Sequence, residues 1–250
     1  MSNVNLFNGI TITVESSMVS YHSYDDWGLY VTNTDCIGEP KQYTNYLEIP
    51  GRNGKLDLSE VISGRQIYES REIKINLAGT RFRTNWDSAL SAFRNDINGK
   101  VCRITFDNDL GYYWRGRVTI KDFSSCLNLG TFTLELPEAD PYKYSITASS
   151  EPWLWDPFNF ETGVITYTGA VDIVGSGTIT VPHGHMLTCP QFIISNKVSG
   201  TFTVTYNSKT YSLDTGTNII PAILIGGEQD VTLTFAGTAK VQLVYKAGSL

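Results

Sequence analysis

The stretch Leu47–Leu77 reads LEIPGRNGKLDLSEVISGRQIYESREIKINL and changes character part-way along. Its first half is rich in polar and turn-forming residues, and it has no apolar periodicity long enough for a core helix. Pro50-Gly51 predicts the centre of a type II turn, because glycine accepts the positive φ required at the third position. Asn53-Gly54 predicts a type I′ turn, in which both central residues have positive φ. This half is therefore interpreted as a loop of defined shape.

The second half of the stretch alternates strictly between apolar and polar residues. Ile73, Ile75 and Leu77 share one parity, and the residues between them are polar. This pattern predicts a half-buried strand over 69–77. The polar segment ahead of it spans about 33–68, and we call it the arm. A connection this long without a core of its own is uncommon in a compact domain and is usually functional.

The rest of the first 145 residues predicts an α+β domain with one helix. An aromatic-rich segment, 19–31, predicts a hairpin with its tip at Asp25-Asp26. Three alternating strands, at 102–106, 117–121 and 131–136, should form one sheet that the helix covers on one side. Apolar residues at helical spacing predict that helix over 85–97: Trp86, Leu90, Phe93 and Ile97.

The core periodicity stops at Pro137, and PEADPYKYS (137–145) is typical of a domain boundary. We place the N-terminal domain at 1–145 and the C-terminal domain at 146–250. The second domain shows no helical periodicity, so the whole chain is predicted to be mainly β. Short alternating segments separated by turn residues predict a β-sandwich there: 164–168, 178–181, 191–195, 201–206, 210–213, 218–225, 231–235 and 241–245.

Composition and charge argue against several function classes. The formal net charge is −6 and basic residues form no patch, which argues against sequence recognition of nucleic acid through phosphate contacts. No apolar run approaches a membrane span, and the N-terminus lacks the pattern of a secretion signal. The cysteines have no metal-binding spacing, so we expect reduced packing residues that suit a reducing cytoplasm: Cys36, Cys102, Cys126 and Cys189.

The sequence contains no motif for catalysis or for a cofactor. It has neither a phosphate-binding loop nor a G-x-S-x-G nucleophile motif. His183 and His185 could hold a metal from one strand, but no third ligand has suitable spacing. We therefore expect no enzymatic activity, no cofactor and no metal. The carboxylates that a glycosidase would need lie in turn-like contexts: Asp107, Asp109, Asp140 and Glu161.

Two tryptophans near the domain boundary leave an alternative function open. Trp153 and Trp155 lie between prolines in EPWLWDP. They could stack on a sugar ring, which would make the second domain a carbohydrate-binding module for host cell-wall glycans. They could equally pin the linker against the sandwich.

The order of these features resembles the distal tail proteins of phages with long, non-contractile tails, including prophages of Gram-positive bacteria. Four segments carry the resemblance: IPGRNGKLDLSEVISGRQIYESREIKI (49–75), the helix 86–97, DNDLGYYWRGRV (107–118) and TFTLELPEADPYKY (131–144). In that family a P-G-x-x-G-x-x-D loop precedes a Y-x-x-R-x-I strand, and an aspartate-proline-tyrosine box closes the first domain. The matching residues here are Pro50, Gly51, Gly54, Asp57, Tyr68, Arg71, Ile73, Asp140, Pro141 and Tyr142.

The resemblance implies a structural protein of the virion tail tip, synthesised and assembled in the bacterial host cytoplasm. The first domain would form a homohexameric ring that joins the tail-tube protein to a tail-tip, tail-associated or receptor-binding protein. The second domain would be a galectin-like β-sandwich on the outside of the ring, with the seam at Asp140, Pro141 and Tyr142. The arm would grip the neighbouring subunit through these residues: Pro50, Gly51, Arg52, Asn53, Gly54, Asp57, Tyr68 and Arg71.

Two further expectations concern the surfaces of this ring. A polar arm would make contacts between subunits without exposing an apolar patch on the monomer. A polar sheet face carrying Arg103, Arg117 and Lys121 would line a channel or meet a partner ring.

Overall fold

The structure is a computed structural model that describes residues 9–61, 63–79, 86–125, 129–151, 169–198, 200–227 and 229–250. Its described elements are antiparallel strands and one short helix, which confirms the prediction of a mainly β protein. The chain divides into two compact units. The first unit is Met1–Asp109 with Tyr113–Pro141, and the second is Leu110–Tyr112 with Tyr142–Leu250.

The first unit is built from two antiparallel sheets, a helix and the arm. Its elements follow in this order: β1 Ile10–Val14, β2 Val19–His22, β3 Leu29–Val31, β4 Tyr46–Leu47, β5 Leu56–Asp57, β6 Arg71–Gly79, α1 Trp86–Asp96, β7 Val101–Phe106, β8 Tyr112–Arg117, β9 Thr119–Ser125 and β10 Gly130–Ala139. Strands β2-β1-β7-β8 lie side by side in one sheet, and β3-β6-β10-β9 form the other. Strands β4 and β5 pair only with each other, within the arm.

One hydrophobic cluster joins the inner faces of both sheets to the helix. Ile73, Ile75 and Leu77 of β6 are fully buried in it, as their alternation predicted. The helix α1 lies where the spacing predicted it. Its Phe93 ring centroid lies 4.5 Å from that of Trp27 and 5.6 Å from that of Phe132. The helix therefore packs its apolar side onto the core, which fixes the frame from which the arm extends.

Two strand pairings differ from the predictions. The segment 19–31 is not a hairpin, because β2 pairs with β1 whereas β3 pairs with β6 in the other sheet. The predicted strand 117–121 is interrupted at Val118, where the chain passes from β8 to β9 and so changes sheets. The strands predicted at 102–106, 117–121 and 131–136 therefore do not form one sheet. Alternation persists across this change because Val118 and Ile120 both reach the same core.

Gly130, the first residue of β10, leaves room for the indole of Trp86. A Cβ at this position would lie 2.4 Å from the nearest ring atom of Trp86. We expect Gly130→Ala to lower the free energy of unfolding by about 1–3 kcal/mol, because the ring would have to leave its packed position. Thermal unfolding followed by circular dichroism measures this. Gly184→Ala is the matched control, since nothing lies within 4 Å of its added Cβ, and an equal effect of both changes would contradict the prediction.

Glu135 is a buried carboxylate on the outward side of β10. Its Oε2 lies 2.6 Å from Lys121 Nζ on β9, and its Oε1 lies 3.3 Å from Lys74 Nζ on β6. The hydrogen bond from Lys121 is the largest influence on this carboxylate and, with Lys74, lowers the pKa of Glu135 below its usual value of 4.5, although burial opposes the shift. The three strands are thus joined by charge pairs as well as by their backbones.

This lowered pKa makes the stability of the first unit depend on pH. A carboxylate with a lowered folded pKa stabilises the protein above its unfolded pKa, and the contribution disappears as the pH falls through the folded pKa. We expect Glu135→Gln to lower the melting temperature at about pH 7, and we expect this deficit to be smaller at about pH 3, where the carboxylate is lost progressively. Glu138→Gln, on the exposed end of the same strand, should have little effect at either pH. A Glu135→Gln deficit that is the same at both pH values would contradict the assignment.

The second unit contains two antiparallel four-stranded sheets over one hydrophobic cluster. Its strands are these: β11 Lys143–Ser145, β12 Ala170–Ile173, β13 Ser176–Val181, β14 Gln191–Ser195, β15 Phe202–Tyr206, β16 Lys209–Leu213, β17 Gly216–Ile219, β18 Val231–Ala236, β19 Ala239–Val244 and β20 Gly248–Ser249. The sheet orders are β12-β19-β14-β17 and β13-β18-β15-β16. This arrangement agrees with the alternating segments in the sequence.

The second unit differs from the prediction in one strand limit and in one additional strand. Only the first two residues of the strand predicted at 218–225 are in a strand, because β17 ends at Ile219. Strand β12 was not predicted, and the predicted segment 164–168 lies outside the described residues. Asn207 and Ser208 both have positive φ, 47° and 62°, between the paired residues Tyr206 and Lys209, which is the geometry of a two-residue type I′ hairpin.

Candidate assembly site

The arm is an antiparallel excursion of the chain between β3 and β6. At its root, Ile37 bridges Ile73, and farther out Gln42 bridges Tyr68. Beyond the turn-rich residues 59–61 and 63–65, which shift the register, Tyr46 lies opposite Asp57 in the pair β4–β5. All residues from 41 to 55 are exposed. At the rise of an extended strand, the distance from residue 38 to residue 49 is at most roughly 40 Å.

At the far end of the ribbon, one of the two predicted turns is present, the one at Pro50-Gly51. Arg52 N donates to Ile49 O at 3.1 Å, and Gly51 has a φ of +83°, which confirms the type II turn at Pro50-Gly51. The type I′ prediction at Asn53-Gly54 is wrong. Gly54 has positive φ but Asn53 does not, so the two residues cannot form that turn.

Asp57 and Ser59 brace the outer part of the arm from within. Asp57 Oδ1 accepts hydrogen bonds from Ser59 N at 2.9 Å and from Ser59 Oγ at 2.5 Å, while Asn45 N donates to Ser59 Oγ at 2.9 Å. The hydrogen bond from the Ser59 side chain is the main reason that the pKa of Asp57 is lowered. The structure therefore gives Asp57 an internal role in shaping the arm. Its predicted contact with a neighbour remains a prediction.

The arm exposes apolar side chains, which contradicts the expectation of a polar arm. Leu47 lies opposite Leu56 in the ladder, and Tyr43 N donates to Ile67 O at 2.9 Å, so apolar residues pair across the ribbon. Val61 is 70% exposed. A two-stranded ribbon is at best marginally stable alone in water, and exposed apolar groups of this kind mark interaction surfaces. The large apolar residues exposed on the arm are Ile37, Tyr43, Tyr46, Leu47, Ile49, Val61 and Ile67.

The other residues predicted for the arm interface occupy two different environments. Pro50, Arg52 and Asn53 are exposed at the outer turn. Tyr68 is half-buried at the root, and Arg71 is buried within the first unit. The structure thus places Arg71 among the buried residues of the first unit, Tyr68 at the root of the arm, and the others at its outer end.

Asp140, one of the three predicted seam residues, takes part in a charge network that the sequence analysis did not predict. Asp140 Oδ2 lies 3.4 Å from Arg115 Nη1, and Arg115 Nε lies 3.0 Å from Glu15 Oε1. Arg103 Nε reaches the same Glu15 oxygen at 3.0 Å. Burial alone would raise the pKa of Glu15, but the hydrogen bonds from Arg115 and Arg103 lower it. The seam predicted at residues 140–142 stays a prediction, although the two compact units divide between Pro141 and Tyr142.

This network also corrects the expected polar face. Arg103 and Arg117 lie on neighbouring strands, β7 and β8, whereas Lys121 lies on β9 in the other sheet. Arg103 is paired with Glu15, and Arg117 Nη1 donates to the backbone oxygen of Gly99. Glu15 and Arg115 could have been found from the sequence only if the pairing of β1, β7 and β8 had been known.

Within the described residues, no group of three or more His, Cys, Asp or Glu side chains could hold a metal. His183 Nδ1 lies 2.9 Å from Asp230 Oδ1, and both side chains are exposed. Cys36, Cys102 and Cys189 are free thiols, and burial raises the pKa of Cys102 to about 11. Cys126, Trp153, Trp155 and Glu161 lie outside the described residues.

The second unit contains a small cavity. It has a volume of about 30 Å³ and is lined by Tyr112, His183, Met186 and Tyr245, among others. The buried phenol oxygen of Tyr245 has no hydrogen-bond partner. A cavity of this volume has space for about two water molecules, which could bond that oxygen, and it cannot hold a sugar ring.

Comparisons with known proteins bear on the whole chain. No family model and no curated protein sequence matches it. A solved structure does match: the crystal structure of the SPP1 Dit protein, a paradigm of the hub adsorption apparatus in phages that infect Gram-positive bacteria. The two chains share one fold. The TM-score is 0.63 at 12% sequence identity, and the likeness covers 96% of this chain and 99% of the SPP1 chain. None of the described helices is long and apolar enough to cross a membrane.

Proposed function

We propose that this protein is a structural virion protein, the distal tail hub of a phage or prophage with a long, non-contractile tail. The observation that carries the proposal is the likeness to the SPP1 Dit hub protein over 96% of this chain. A likeness that covers 96% of this chain leaves little of it for a different function. The ordered motifs of the sequence support the same assignment independently.

In this proposal six copies form a ring, and the arm of each copy binds the neighbouring copy. The physical support is that the arm is exposed along both strands yet carries apolar residues across its ladder. A ring requires heterologous contacts, in which one patch meets a different patch on the next subunit. An outstretched ribbon supplies one side of such a contact. The ring joins the tail-tube protein on one side to a tail-tip or receptor-binding protein on the other.

Mass photometry of the purified protein tests the ring directly. Six copies of 27.8 kDa give a particle of about 167 kDa, and negative-stain electron microscopy should show sixfold rings. A strict monomer in both measurements, even at high protein concentration and with the tail-tube protein added, would contradict the proposal.

A further inference from the structure

Arg71 is a buried cation at the root of the arm. It is the first residue of β6 and shares the inward parity of Ile73 and Ile75. The residue is only 5% exposed, and its guanidinium carbon lies 4.5 Å from the ring centroid of Trp114. Trp114 is itself buried. The charge therefore lies at the edge of the hydrophobic cluster, where water reaches it poorly.

The guanidinium of Arg71 is not satisfied within its own chain. Its Nε and Nη2 atoms are buried and have no hydrogen-bond partner. Burial lowers the pKa of Arg71, with a partial opposing effect from Glu39, yet an arginine stays charged in proteins. An uncompensated buried charge is strongly unfavourable. The attraction of the charge to the Trp114 ring is too weak to replace hydrogen bonds to an anion.

The nearest carboxylate does not fill this role. The bridge between Ile37 and Ile73 places Glu39 directly opposite Arg71 in the antiparallel register. Glu39 is nevertheless exposed and forms no ion pair with Arg71 among the described contacts. The root of the arm thus holds two buried donors of Arg71 with no acceptor in the described part of the chain.

We propose that Arg71 receives a carboxylate from a second copy of this chain, and that this carboxylate is Glu60. The inference rests on the proposed ring, and it names the residue pair that fixes the arm in its neighbour. A guanidinium accepts a carboxylate through two parallel hydrogen bonds, which adds geometric specificity to the contact. The monomer carries an unsatisfied cation, and assembly satisfies it.

Glu60 is chosen because each of the other carboxylates of the arm is either already bonded or located at the root. Glu48 is paired with Lys55 at 3.0 Å, and Asp57 is held by Ser59. Asp35, Glu39 and Glu69 belong to the root, so they remain beside their own subunit. Glu60 is exposed, has no ion pair in the described part of the chain, and lies between the braced Ser59 and the exposed Val61. It is the acidic group that the outer arm can carry to a neighbour.

The test is a double-mutant cycle on ring assembly. Glu60→Gln and Arg71→Met should each weaken assembly at least roughly 30-fold, measured by mass photometry over a dilution series. The double variant should be no weaker than Arg71→Met alone, because both changes remove one interaction. Glu48→Gln is the matched control and should leave assembly unchanged. Additive losses, or a Glu60→Gln variant that assembles normally, would overturn the pair.

A second readout separates this role from a structural one. The melting temperature of the dilute Arg71→Met monomer should be equal to or higher than that of the unchanged monomer, because an unsatisfied buried charge is removed. A lower melting temperature would show that Arg71 only supports the core. If removal of the outer arm abolishes the ring while both single variants assemble normally, the hub proposal stands and the Arg71–Glu60 pair is wrong. If the ring survives removal of the arm, the role of the arm itself is wrong.

Discussion

Replacing residues 45–65 with Asn-Gly should convert the proposed ring to monomers, with a melting temperature close to that of the dilute, unassembled protein. Tyr43 and Ile67 are hydrogen-bonded opposite each other, so Thr44 and Gln66 would flank a two-residue turn. Asn-Gly is the preferred sequence for such a turn. The removed segment contributes only Ser59 to the buried residues of the described chain, so the core should not change.

Mass photometry and calorimetry on the same preparation measure both parts of this result. The expected change in assembly is complete, because in the proposed ring the outer arm supplies one whole side of each subunit contact. A matched control places the same Asn-Gly turn in a different exposed hairpin through the single change Ser208→Gly, and it should assemble normally. Rings that persist after the arm is shortened would remove the arm from the interface.

The triple variant Leu47→Ser, Ile49→Ser and Val61→Ser should weaken assembly by at least about 100-fold. Burying an exposed aliphatic side chain contributes about 1.5–3 kcal/mol, so the loss of three partly buried contacts corresponds to roughly 3–5 kcal/mol. The monomer should keep its melting temperature, since these side chains are exposed in it. Analytical ultracentrifugation gives the dissociation constant.

The matched control changes three equally exposed aliphatic residues of the second unit: Val174→Ser, Val198→Ser and Ile219→Ser. Their side chains are 78%, 57% and 58% exposed, comparable with or greater than those on the arm. If apolar contact by the arm drives assembly, this control assembles normally. Equal weakening in both triple variants would mean that general surface hydrophobicity, and not the arm, controls the association.

The sequence predicted well those features that depend on one segment at a time. The alternation over 69–77 identified the buried side of β6, and apolar residues at helical spacing identified α1. Pairing was harder to predict, because alternation shows which side of a strand is buried and not which strand lies beside it. This is why the change of sheets at Val118 was missed, and why β2 and β3 were assigned to one hairpin.

The candidate site was located by its unusual length, but its chemistry was only partly visible. The apolar residues of the arm are spaced irregularly, so their pairing across the ribbon depends on a register that the sequence does not contain. Arg71 was assigned to the interface, and its burial was not recognised. A signal was present, because Arg71 has the same parity as Ile73, Ile75 and Leu77, all of which point into the core.

The two ends of the arm enter and leave the first unit side by side. Gly38 N donates to Glu72 O at 2.8 Å, and Lys74 N donates to Cys36 O at 2.7 Å. Any segment inserted between these points closes on the same short gap, and doubling the length of a flexible loop costs only about 0.6 kcal/mol. We therefore expect that the arm can be replaced by another segment without a change in the fold of the first unit. A longer, shorter or foreign ribbon grafted at this root would give the same core a different partner without requiring it to fold differently.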